Sequence, residues 1–230
     1  MPKAPYRLAA NTHASQDEPM SSMPPPWDPE SPAHSGLVEA VRAYRRAGWL
    51  GRFGGASDED AARALREEWW SQWEEEYAAD EPDDGILAAL DPERAIWFDP
   101  EADTCEDNRT YVDVLASLCE ITGGELEITG VVEDWRREPG RVHVALVVNG
   151  TPGELHLHEF HDWVDPKVIE GLNRFLPRDG RHFYCFDGGG QAFCITWASP
   201  AEVAALEAAR PARLLDKAPA AWPGVHSDDG

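Results

Sequence analysis

The stretch from Glu125 to Phe160 constrains the chain most strongly. Leu126 and Ile128 alternate with polar neighbours. Val142, Val144, Leu146 and Val148 alternate with His143, Ala145, Val147 and Asn149, and Leu155 and Leu157 alternate with Glu154, His156 and His158. A period of two sends one set of side chains to each face of a sheet, so the stretch predicts three consecutive strands. Asn149-Gly150 and Pro152-Gly153 supply turn chemistry between the second and third strands. Helical patterns on both sides make this meander the sheet core of an α+β domain.

Ile96, Trp97 and Phe98 read as a short strand ahead of it. Within residues 104–123, Tyr111, Val114, Leu115, Leu118 and Thr122 follow helical spacing, and Gly123-Gly124 stops the helix. After the meander, Asp165-Pro166 predicts an N-cap with proline at N1, followed by Val168, Ile169, Leu172, Phe175 and Leu176 on one face. Residues 181–187 and 191–198 predict a hairpin around Gly188-Gly189-Gly190. Ser199-Pro200-Ala201-Glu202 is a capping box that opens a last helix. The order from Ile96 is β-α-β-β-β-α-β-β-α, with a mostly antiparallel sheet packed against helices. The expected organisation is a disordered, proline-rich arm (1–34), an acidic, Trp-rich helical region (35–92), the α+β core (93–210) and a flexible tail (211–230).

Charge is the next constraint. The formal net charge is -23, and from Asp58 to Asp107 nineteen Asp or Glu stand against three Arg, a net of -16. Such a chain repels phosphate backbones and anionic lipid, which excludes nucleic acid and membrane surfaces as partners and favours a basic protein. Cys105, Cys119, Cys185 and Cys194 form no CxxC pair, and no apolar run is long enough for a signal peptide or a span. A cytoplasmic protein with reduced thiols is expected. Cys185 and Cys194 should stay unbonded, because Phe183 and Cys185 share one face, opposed by Phe193 and Ile195, and Cys194 takes the other.

Four features are candidate sites. His156-x-His158-x-x-His161 could bring imidazoles to one metal ion, and its spacing resembles the HxHxDH motif of metallo-β-lactamase-fold hydrolases. Phe160 stands where that family uses an Asp, so no metal and no cofactor is expected. A metal-dependent hydrolase on His156, His158 and His161 is the alternative. Asp99-x-Glu101-x-Asp103 begins like a calcium loop but lacks its later Gly and Glu. The Gly188–Gly190 run reads as a hairpin turn, and no catalytic nucleophile motif is present. The fourth feature is the acidic helix opened by Ser57. Leu65, Trp69 and Trp73 step along its core stripe. Trp70, Glu74, Glu75, Glu76, Asp80, Glu81, Asp83 and Asp84 lie off it or beyond it and form the expected partner-binding face, with Trp70 as the exposed anchor.

Ile96-Trp97-Phe98-Asp99, Asn108, Tyr111, Asp134-Trp135 and His161-Asp162-Trp163-Val164-Asp165 resemble segments of bacterial proteins of the toxin-immunity type, over roughly residues 90–210. The resemblance implies an inhibitor that binds a cognate toxin domain, often a basic nuclease, and masks its active site. It carries no residue roles. An acidic, immunity-type binding protein is therefore the expected function, with the metal hydrolase and a structural or adaptor module as alternatives.

Overall fold

The computed structural model describes residues 26–28, 31–72, 84–101, 104–160, 162–186 and 192–216. From the first strand onward the element order is β-α-β-β-β-α-β-β-α, as expected, followed by one further short strand, in an α+β fold. Helices α1 (Pro32–Arg46), α2 (Asp58–Gln72) and α3 (Asp84–Ala89) precede β1 (Ala95–Phe98). Then come α4 (Thr110–Glu120), β2 (Ile128–Glu138), β3 (Arg141–Val148), β4 (Thr151–His158), α5 (Lys167–Asn173), β5 (His182–Phe186), β6 (Phe193–Ala198), α6 (Pro200–Ala209) and β7 (Leu214–Leu215).

The strands form two antiparallel sheets. One is ordered β1-β6-β5-β7 and the other β2-β3-β4. The four-stranded sheet is buried on both faces. Phe183, Cys185, Phe193, Ile195 and Trp197 point to one core, which they share with Tyr111, Leu115 and Leu118 of α4, Ile169 and Leu172 of α5, and the apolar face of the three-stranded sheet. Phe186, Cys194 and Ala198 point to a second core made with α1, α2, α3 and α6. Thr196 faces that second side and uses its hydroxyl twice, donating to the Arg94 carbonyl (2.9 Å) and accepting from Trp49 Nε1 (3.1 Å). A buried hydroxyl needs such partners.

Capping and turn chemistry place several boundaries. Ser199 accepts from the Glu202 backbone N–H while the Glu202 carboxylate accepts from Ser199 N, completing the capping box. Glu202 also binds Arg94 and Arg181, each at 2.9 Å. Burial works against its ionisation, but hydrogen bonds from Ser199 and Arg94 outweigh it and hold the carboxyl below its ordinary value of 4.5. Asp91 shows the reverse. It is fully buried, accepts from Leu50 N at 2.5 Å and has an unpartnered Oδ1, and burial raises its pKa despite that bond and Arg94 nearby.

Several boundaries depart from the sequence reading. The first helix opens at Pro32 behind Ser31, inside the expected disordered arm, because proline suits N1. Trp27 stacks on His34 at 4.4 Å. The tail contributes β7, whose Leu214 and Leu215 pair with Phe186 and Cys185. Asn149-Gly150 alone forms the turn between β3 and β4, with φ of 48° and 79°. Pro152 and Gly153 lie within β4, where a Cβ on Gly153 would stand 2.1 Å from Phe175 Cε1. Cys185 opposes Ile195 as expected, but Phe183 opposes Trp197 rather than Phe193. Neither Cys185 nor Cys194 is in a disulfide, and the two face different cores. No described helix is long and apolar enough to cross a membrane.

Candidate functional site

Two residues of the expected partner-binding face, Trp70 and Asp84, are engaged inside the fold. Trp70 is only 6% exposed and belongs to the core beneath α1, α2 and α3, so it is not an exposed anchor. The helical wheel treats α2 as packing against one flat partner. In the fold α2 also packs along α1, and the broad indole is buried with the Arg66 guanidinium 5.8 Å from its ring. Asp84 is likewise internal to the fold. Its carboxylate pairs with Arg210 at 2.9 Å, its carbonyl accepts from Tyr44 Oη at 2.6 Å, and its side chain is 16% exposed. Glu74, Glu75, Glu76, Asp80, Glu81 and Asp83 lie outside the described residues, as does His161.

The three-stranded sheet is covered on one face and open on the other. Its eight-residue β3–β4 ladder runs without a shift, from Val148 opposite Thr151 to Arg141 opposite His158. Alternation therefore sends Val142, Val144, Leu146, Leu155 and Leu157 inward. It sends Arg141, His143, Ala145 and Val147, with Pro152, Glu154, His156 and His158, to the opposite side. On β2 a bulge at Gly130 and Val131 inserts one residue between Thr129 and Val132, with Gly130 at φ 62°. Side-chain parity inverts there. Val131, Glu133 and Trp135 point inward, and Val132 and Asp134 point out. Glu133 is satisfied inside, accepting from Val112 N and Trp135 Nε1, each at 2.9 Å.

The open face carries both an apolar and an ionic part. Val132 is 61% exposed, the only large hydrophobic side chain so exposed among the described residues, and it sits opposite the exposed Ala145. Beside them His143 and His156 stand directly across the β3–β4 ladder, their rings edge to face at 4.8 Å. His156 Nε2 lies 3.4 Å from Glu154 Oε2. His143 Nδ1 lies 3.7 Å from Glu154 Oε1, and its Nε2 lies 3.4 Å from Glu138 Oε2. Arg137 donates to Glu154 Oε1, and Arg141 pairs with Glu138 at 3.1 Å. His143 is buried, and neither ring nitrogen has a hydrogen-bond partner.

His158 is engaged elsewhere. Asp165 Oδ2 accepts from its backbone N–H at 2.7 Å and lies 3.2 Å from its Nδ1. Asp165 N in turn donates to the Tyr111 hydroxyl at 3.1 Å, and burial raises the pKa of that phenol strongly. This chain ties β4 to the segment entering α5. Among the described residues, the three donors brought within 4.8 Å of one another are thus those of His143, Glu154 and His156. His143 and Glu154 were missed as donors, although their signal is in the sequence. A two-residue Asn149-Gly150 loop pairs Val148 with Thr151, and counting back equal steps on each strand places His143 opposite His156.

No family model matches the chain, and no curated protein or solved structure is significantly similar to it.

Proposed function

We propose that the chain is an acidic protein-binding module, an inhibitor of the immunity type, that engages a basic protein through the open face of its three-stranded sheet. The observation that carries this reading is the one-sided sheet itself. Its inner face closes a core, while its outer face presents Val132 and Ala145 amid Asp134, Glu138 and Glu154. A rigid antiparallel sheet holds such a patch without an ordering cost on binding. With a net charge of -23, the chain attracts a basic partner and orients it before contact. An apolar centre with a charged rim is the common anatomy of a protein interface.

The test starts with affinity capture from the native host, followed by reconstitution of the complex from the purified chain and the purified basic partner. Val132→Arg should then weaken binding by at least about tenfold, mainly through faster dissociation, as loss of a central anchor does. Charge reversal at Glu74, Glu75 and Glu76 should slow association and flatten its salt dependence if the acidic segment steers the partner. Wild-type kinetics for Val132→Arg on the reconstituted complex would remove the sheet face from the interface.

A further inference from the structure

We infer that His143, Glu154 and His156 form a binding site for a divalent transition-metal cation of the zinc type, with one coordination position open to solvent. The inference goes beyond the partner-binding reading, because it concerns the isolated chain.

The donor set comes first. Two imidazoles and one carboxylate are ligands that Zn2+ accepts, and three protein ligands with a free position are the pattern of an open rather than a closed zinc site. Around a tetrahedral ion with bonds of 2.0–2.2 Å, neighbouring donor atoms stand about 3.4 Å apart. His156 Nε2 and Glu154 Oε2 are 3.4 Å apart, His143 Nδ1 lies 3.7 Å from the other oxygen of the same carboxylate, Oε1, and one donor atom from each of the three residues lies within 4.8 Å of the others. Small side-chain adjustments close the remainder.

The scaffold comes next. All three side chains leave the same face of an unshifted two-strand ladder, so the backbone presets their spacing. His156 is half exposed, which gives an ion a route in and leaves the fourth position facing water.

The independent pointer is His143. Its side chain is 6% exposed, and neither of its nitrogens has a hydrogen-bond partner. Burying an imidazole in that state is costly unless something occupies its lone pair. Glu138 Oε2, 3.4 Å behind Nε2, is placed as the outer carboxylate that favours a proton on Nε2 and leaves Nδ1 bare toward Glu154 and His156. Arg137 is the competing cation, and it holds Glu154 Oε1, so Oε2, the oxygen nearer His156, is the one offered to the ion. The set shares only His156 with the sequence motif, since His158 is held by Asp165.

The experiment titrates Co2+ into the full-length chain after chelator dialysis, following its visible ligand-field bands, then displaces it with Zn2+. One equivalent of Co2+ should bind with the intensity of a four- or five-coordinate site, and Zn2+ should bleach the bands and raise the melting temperature. His156→Ala and Glu154→Gln should each weaken Co2+ binding by at least about tenfold, the low end of what loss of even an outer partner causes. His158→Ala should leave it unchanged. His156 and Glu154 are not core residues, so their variants should melt like the metal-free parent, and this control separates lost ligation from lost fold. Absence of the bands at one equivalent overturns the site, as does Co2+ binding indifferent to His156→Ala and Glu154→Gln. Because no partner is present in this titration, its failure leaves the protein-binding reading untouched, and failure of Val132→Arg to affect the complex leaves the metal site untouched.

Discussion

The two sheets obey the same alternation but have different surroundings. Every residue of β6 is buried, odd positions in one core and even positions in the other. On β3 and β4, Val142, Val144, Leu146, Val148, Leu155 and Leu157 are equally buried, while the opposite set meets solvent, a carboxylate or a histidine. A strand covered on both sides is committed to packing. A strand covered on one side has a set of positions that folding does not consume, and chemistry can be placed there. The candidate metal ligands and the exposed Val132 both lie on that unconsumed set.

The largest expected effect tests the doubly covered sheet. Ile195 is fully buried at the centre of β6, so Ile195→Ala should destabilise the fold by about 2–5 kcal/mol in urea unfolding. A loss under about 1 kcal/mol would mean that the centre of β6 packs more loosely than its burial indicates.

Next comes the ionic network on the helical side of that sheet. Glu202→Gln should cost about 1.5–3 kcal/mol near neutral pH, the range for hydrogen bonds to a charged group. The folded-state pKa of Glu202 is lowered, so its contribution is present above 4.5 and is lost as pH falls through the folded value. The pKa of Asp91 is raised, so its contribution is full below 3.8 and declines as pH rises through its folded value. Urea midpoints measured against pH should therefore lose part of their acid-side fall in Glu202→Gln. In Asp91→Asn they should lose a decline of the opposite sign. Equal slopes in both variants and the parent would show that neither carboxylate is linked to folding in this way.

The smallest effect belongs to the open face. Val132→Ala should change stability by less than about 0.5 kcal/mol, as exposed positions do. A loss approaching that of Ile195→Ala would show that something covers this face in the isolated chain, and the contrast between the sheets would disappear.

What the sequence determined by itself was local. Alternation marked β3 and β4, helical spacing marked α4, and the Ser199–Glu202 capping box marked the start of α6, because each is set by side-chain direction and by hydrogen bonds a few residues apart. The inward and outward sets of β3 and β4 were therefore legible, and so were the separate faces of Cys185 and Cys194. Much of the candidate site was legible in principle, since a two-residue Asn149-Gly150 loop dictates the His143–His156 pair. Admitting Pro152-Gly153 as turn residues left that register open. Tertiary structure alone decided the rest. The Gly130 bulge reversed parity along β2, turning Glu133 and Trp135 inward, because one inserted residue shifts every later side chain to the other face. Trp70 was buried by the arrangement of α1, α2 and α3, which no periodicity within α2 encodes. Whether a sheet face is covered depends on elements distant in the chain. That long-range fact made β6 wholly interior and left the face bearing His143, Glu154 and His156 open.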